Sequence, residues 1–166
     1  MSLVYFTDRD LGKQFPTILA SAGITAERHH ELFQPNGTDE EWLEYCGTKN
    51  RVAITHNERI RYTPNELAAV VQHKVRLLVV IGHAPFPELT HNFVNTQQKI
   101  EAFLSTNNAP FIAKIYRPSP DDKKSGIASP GQIVCWYPQV RGLSEPSYLA
   151  HVGKTSQCPA PARRSG

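Results

Sequence analysis

Apolar residues enter this chain in two alternating rhythms. Short, nearly continuous apolar runs read as strands: Leu3 to Thr7, Ile24 to His29, Arg51 to Thr55, Val75 to Ile81 and Pro110 to Tyr116. Between them apolar residues recur at helical spacing. The first such window, Asp10 to Ala22, places Leu11, Phe15, Ile18, Leu19 and Ala22 on one face. The last, from about Glu88 to Ser105, does the same with Leu89, Phe93, Val94, Ile100, Phe103 and Leu104.

Local punctuation agrees with that division. Gly23 is a helix stop, and Pro16 either kinks the first helix or marks its true start. Thr38 with Glu41, and Thr63 with Glu66, have capping-box spacing and predict the starts of two further helices. Pro64 suits a first helical position, and the helix it opens should end near His73. His30 to Gly37 and Gly82 to Pro87 read as loops. Val75 to Ile81 is the most apolar strand and belongs at the centre of the sheet. The result is a β-α-β-α-β-α-β-α-β chain within residues 1–117. Crossover connections of this kind predict a largely parallel sheet covered by helices on both faces, an α/β fold.

Beyond Arg117 the rhythm fails. Seven of the 13 prolines follow it. The apolar patch Ile133 to Tyr137 is either a short strand or a docking segment. The expected division is thus a folded body, 1–117, and an irregular or partly disordered tail, 118–166. Charge follows the same boundary. Residues 1–117 hold 12 basic and 12 acidic residues, and residues 118–166 hold 6 and 3, the whole excess behind the net charge of +3. The body lacks the basic balance of a dedicated nucleic-acid-binding module, though an enzyme that visits RNA briefly needs less. Cys46, Cys135 and Cys158 are odd in number and widely spaced, so reduced, non-catalytic thiols are expected rather than a zinc site or disulfide framework. No apolar run is long enough to span a bilayer, and the first residues lack a secretory pattern. A cytoplasmic protein with no membrane partner is expected.

Chemistry-bearing residues collect where strands end. Asp8, with Asp10 close by, follows the first strand. Asp39, Glu40 and Glu41 open the second helix. Thr55-His56-Asn57-Glu58-Arg59-Ile60-Arg61 follows the third strand. In a parallel sheet the strands' carboxyl ends share one edge, where open α/β sheets bind ligands. Converging carboxylates repel unless a cation lies between them. Hard oxygen ligands suit Mg²⁺ or Mn²⁺, and such an ion can activate water and stabilise phosphoryl oxygens. Arg59 and Arg61 would contact phosphate. Other readings compete at several positions. Asp8 could be a helix cap. Asp10 reads as a charge complementing the helix dipole, and Glu41 is explained by its capping box. The histidines lack zinc spacing, and Trp42 and Trp136 read as packing residues. No glycine-rich phosphate loop or Gly-x-Ser-x-Gly elbow is present.

The runs Phe6 to Gly12, Asp39 to Leu43 and Ile54 to Arg61, closed by Pro110 to Tyr116, resemble the PIN-like family of toxin-type ribonucleases, whose best-known members are the VapC-type toxins. The resemblance covers roughly residues 3–117. It implies a PIN-like three-layer α/β/α sandwich around a mainly parallel five-stranded sheet, ordered 3-2-1-4-5. It implies Mg²⁺- or Mn²⁺-dependent cleavage of RNA and, for a toxin, a small antitoxin partner. Toxins of this kind often pair as homodimers, although no decisive interface stripe stands out in this chain. By position, the family's first metal-binding aspartate falls on Asp8 and its second acid on Asp39 or Glu40. The third acid's place holds Asn57, which offers a neutral oxygen and removes one negative charge. The expected catalytic set is therefore Asp8, Asp39, Glu40 and Asn57. Asp8, Asp39 and Asn57 would hold the metal, and Arg59 and Arg61 the substrate. The alternative is a catalytically degenerate PIN-like domain acting as a binding module.

Overall fold

The computed structural model describes residues 3–119 and 129–138. Its strands are β1 (Tyr5–Thr7), β2 (Ala26–Arg28), β3 (Val52–Thr55), β4 (Arg76–Val80), β5 (Phe111–Tyr116) and β6 (Gln132–Tyr137). Its helices are α1 (Gln14–Ser21), α2 (His29–Leu32), α3 (Asp39–Thr48), α4 (Pro64–Gln72), α5 (Phe86–Asn95) and α6 (Gln97–Thr106). Two 3-10 turns, Arg9–Leu11 and Glu58–Arg61, leave the ends of β1 and β3.

All five expected strands are present, and they run parallel. Their order is β2-β1-β3-β4-β5-β6, not the 3-2-1-4-5 that the resemblance implies. β1 pairs with β2 on one side and with β3 on the other. The chain therefore leaves β1 toward one edge and returns across it to continue toward the other. Local apolar pattern does not distinguish the two orders, because β1, β2 and β3 are short and each can bury both faces. The observed order makes the gap between β1 and β3 a switch point, the crevice where doubly wound sheets bind ligands.

The sheet separates two apolar layers, as a three-layer sandwich requires. On one face Tyr5, Ile54, Leu78 and Phe111 pack with Leu11, with Phe15 and Leu19 of α1, and with Phe93 and Phe103 of α5 and α6. On the other, Phe6, Ala53, Leu77 and Ile112 pack with Trp42 and Leu43 of α3 and Val70 of α4. Trp42 stacks on Phe6 with ring centroids 5.6 Å apart. It is a packing residue, as expected. β4 is buried along Leu77–Val80 and lies inside the sheet.

Several local expectations change. Pro16 marks a helix start: it lies in the first turn of α1, where its missing N–H costs nothing. The long helix predicted from Glu88 to Ser105 is two helices that meet at Thr96. The buried Thr96 hydroxyl donates back to the Asn92 carbonyl at 2.6 Å and accepts from the Gly131 N–H at 2.8 Å. Back-bonding of this kind bends a helix, and here it also anchors the entry to β6. Neither capping box closes. Thr38 and Thr63 make no side-chain cap, and the Thr63 hydroxyl donates to the Arg59 carbonyl instead, at 3.2 Å.

The sheet also does not end at Arg117, where the body was expected to stop. β6 pairs antiparallel with β5, so the patch Ile133 to Tyr137 is a strand. The rest of the expected tail lies outside the described residues, apart from those next to β5 and β6. Cys46 is buried and free, whereas Cys135 is disulfide-bonded, against the expectation of reduced thiols throughout.

Candidate active site

Asp8 follows β1 directly and caps the first 3-10 turn. Its Oδ1 accepts from the Arg9 N–H at 2.7 Å, while its own N–H donates to the Ile54 carbonyl at 2.9 Å. It is only 4% exposed. The second oxygen, Oδ2, accepts from the Thr55 hydroxyl at 2.9 Å. Thr55 ends β3, so this bond closes the switch point. Asp10 reaches the same place. Its Oδ2 lies 3.1 Å from the Thr55 hydroxyl, and its carboxylate accepts from the His56 N–H at 3.0 Å. His56 is held in turn by Nδ1, 2.7 Å from the Val80 carbonyl, which requires that nitrogen to carry the proton.

The Thr55 hydroxyl has a single hydrogen for two carboxylates. It also accepts from the Asn57 N–H at 3.2 Å. When the hydroxyl hydrogen turns to Asp10, which already accepts from the His56 N–H, Asp8 Oδ2 loses its donor unless a proton or a cation joins the pair. Burial pushes the Asp8 carboxyl up to about 7, with the charges of Asp10 and Asp39 adding to the effect and the Thr55 bond opposing it. Burial also raises Asp10, against the lowering pull of the His56 N–H and Thr55. Groups pushed this way by burial and by one another are a physical signature of functional sites.

A second acid group flanks the first. Asp39 opens α3. Its Oδ1 accepts from the Trp42 indole N–H at 3.0 Å and lies 3.9 Å from the Arg9 guanidinium, which also donates to the Pro35 carbonyl. Glu66, in the first turn of α4, is pushed up to about 7 by burial, by a hydrogen bond with Asp39, and by the charges of Asp39 and Glu40. Its Oε2 is buried without a hydrogen-bond partner.

The structure thus brings together Asp8 and Asp10, couples Asp39 to both through its charge, and adds Glu66 beside Asp39. Glu40 is half-buried next to this group. Asn57 caps the second 3-10 turn, its Oδ1 accepting from the Arg59 N–H at 3.0 Å. Arg59 is exposed on that turn, and Arg61 lies over the Trp136 ring at 5.1 Å. Sequence reasoning passed over Asp10 and Glu66, because an acid in a first helical turn looks the same whether it serves the helix or a site. The one available signal was polar context: each stands within three residues of a strand end or a candidate cap.

Among the described residues, no group of three or more His, Cys, Asp or Glu side chains is gathered to hold a metal. Mg²⁺, however, is commonly held by one or two carboxylates, with water and substrate phosphate completing its shell. The buried Asp8 carboxylate, with the half-buried Asp10 on the same hydroxyl and a third acid beside them, fits such an ion. Hard carboxylate oxygens fit Mg²⁺ and Mn²⁺ better than softer metals.

Residues 3–82 match the family model of the PIN-like domain, which spans β1 to the end of β4. No curated protein and no solved structure matches the chain. Its α/β/α layering and the acids at its β1–β3 switch point agree with that match, and this chain carries a PIN-like domain, a nuclease-type fold.

Proposed function

We propose that this protein is a metal-dependent endoribonuclease that hydrolyses RNA phosphodiester bonds. The observation that carries the reading is the buried Asp8 and half-buried Asp10 on one buried Thr55 hydroxyl at the carboxyl edge of the sheet. When bound there, Mg²⁺ or Mn²⁺ would supply a Lewis acid for a phosphoryl oxygen and a more acidic water. Asp8 and Asp10 would hold the ion, with Asp39 adding negative charge nearby. Thr55 and the His56 N–H fix the carboxylates, so little reorganisation is needed when substrate arrives. With Asp8 near 7, the pair can exchange a proton at neutral pH. Arg59 and Arg61 would orient the phosphate backbone.

The narrower assignment, toxin of a toxin–antitoxin pair with a small antitoxin partner and a homodimeric state, rests on the motif resemblance. Among the described residues, no helix is long and apolar enough to cross a membrane. The test is cleavage of single-stranded RNA with Mn²⁺, comparing wild type with Asp8→Ala. Activity present in wild type and lost in the variant supports the reading. Equal activity in both rejects it.

One observation favours a second reading. Asn57 spends its Oδ1 on the Arg59 N–H and brings no charge to the site, as expected of a degenerate PIN-like binding module. In that case neither metal binding nor cleavage is detectable in wild type, and Asn57→Asp creates metal binding.

A further inference from the structure

β6 lies beyond the part of the chain that matches the family model, and it builds a feature that part does not contain. Its register against β5 slips between Ile112 and Ala113: Ala113 pairs with Cys135, and Ile112 with Tyr137. Trp136 is the extra residue of a bulge. Bulges re-aim side chains, and here Trp136 and Tyr137 both join the face that carries Phe6, Trp42 and Val79.

Three side chains gather on the Trp136 ring. Lys114 Nζ lies 4.0 Å from its centroid and the Arg61 guanidinium carbon 5.1 Å. Tyr62 meets it edge-on, with centroids 5.6 Å apart and planes at 81°. The Arg61 guanidinium also lies 5.7 Å from the Tyr62 ring. Tyr62 is nevertheless 71% exposed, well above Leu32 at 47% and Val71 at 40%. An aromatic ring is thus fixed at its edge and left open to solvent, beside Arg61 and the exposed Arg59.

The position of this ring relative to the acids matters. Tyr62 ends the 3-10 turn that Asn57 begins, two residues after Thr55. In the sheet, Thr55 pairs with Val79, Val79 with Lys114, and Lys114 with Val134. Lys114, which meets the Trp136 ring, thus stands two strand spacings from Thr55, about 10 Å across the sheet. Cations and an open ring therefore lie at one end of a short path whose other end is the proposed catalytic pair.

We propose that Tyr62 is a base-stacking platform for single-stranded RNA, held in place by Trp136 and Arg61, with Arg59 and Arg61 on the adjoining phosphates. This rests on the ribonuclease reading and names how its substrate is gripped. Stacking on an aromatic ring tolerates any base and needs an unpaired one, since bases within a duplex do not offer their faces. The cation-rich surround favours RNA over a protein partner, for which an exposed tyrosine could also serve as an anchor.

The test uses a fluorescent single-stranded oligoribonucleotide of mixed sequence and the matching duplex. Binding is read by anisotropy in EDTA, and kcat and KM are then measured with Mn²⁺. Tyr62→Ala and Tyr62→Leu should each weaken single-strand binding about tenfold. Tyr62→Phe should stay within about twofold of wild type. KM should rise in the first two variants with kcat retained, and duplex binding should not change. The leucine variant keeps apolar volume against Trp136, so it reports stacking even if the alanine variant is unstable. Wild-type affinity retained in Tyr62→Leu, with cleavage intact, overturns this proposal and leaves the ribonuclease reading standing. A wild-type protein that neither binds nor cleaves RNA rejects both.

Discussion

Replacing Asp8 by Asn should make the metal-free protein more stable, although it removes the residue on which the proposed activity depends. The carboxyl rises from the ordinary 3.8 to about 7 on folding. Between those values the folded protein holds a proton that the unfolded chain has released. Stability falls with pH wherever the folded state binds more protons, so wild type loses stability from about pH 4 to pH 7 and does not regain it above. At 1.36 kcal/mol per pH unit the shift corresponds to about 4 kcal/mol. Asp10 shares the interaction, so we expect a loss of about 2–4 kcal/mol from this source, or about 5–15 °C in Tm for a chain of this size. Asn keeps the shape: its Oδ1 can accept from the Arg9 N–H, and its Nδ2, in the place of Oδ2, can donate to the Thr55 hydroxyl, whose own hydrogen then goes to Asp10, so the charge is removed and each group keeps a partner. Thermal unfolding in EDTA at pH 5 and pH 8 measures the effect. The two proteins should be similar at pH 5, and Asp8→Asn should melt higher at pH 8. His29, lowered chiefly by burial, contributes with the opposite sign below pH 6.5, but it is common to both proteins and cancels in the comparison. An Asp8→Asn protein that melts lower than wild type at pH 8 would refute the claim that this carboxylate is buried at a cost.

Further outcomes follow from the same geometry. Asn57→Asp preserves the cap to the Arg59 N–H and adds a charge beside the pair, so calorimetry should show Mn²⁺ binding tightened severalfold. Unchanged affinity would leave Asn57 a cap only. Gly131→Ala should destabilise the fold by about 1–3 kcal/mol, because a Cβ there collides with the Tyr116 carbonyl and sits 2.8 Å from Asn92 Oδ1. Denaturant unfolding measures that loss, and a neutral result would detach β6 from the junction of α5 and α6. Arg61→Ala should flatten the salt dependence of single-stranded RNA binding by about 0.7 in the log–log slope. No change would remove Arg61 from the phosphate contacts.

The residues differ in how openly the sequence declared them. β4 was legible because a strand buried on both faces leaves a continuous apolar run, and Leu77–Val80 is one. Asp8 stood out as an acid at the end of an apolar strand, but its cap role on the following 3-10 turn accounts for an acid there equally well. The strand order was not, since only long-range pairing places β1 between β2 and β3. Thr96 could not announce its break, because its buried hydroxyl takes its second partner, Gly131, 35 residues away. Asp10 and Glu66 were masked by their helix-start positions, where an acid is ordinary. Trp136 read rightly as packing, but its place on a bulge, and the exposed Tyr62 it holds, depend on a register that the apolar pattern does not carry.

The central claim is that the acid pair at the β1–β3 switch point takes a divalent cation in exchange for a proton. Calorimetric titration of Mn²⁺ at pH 7, repeated in buffers of different ionisation enthalpy, tests it most directly. The account predicts saturable binding with release of a fraction of a proton up to about one per ion, lost in Asp8→Asn. Absence of binding at millimolar Mn²⁺, or binding with no proton release that survives in Asp8→Asn, would contradict it.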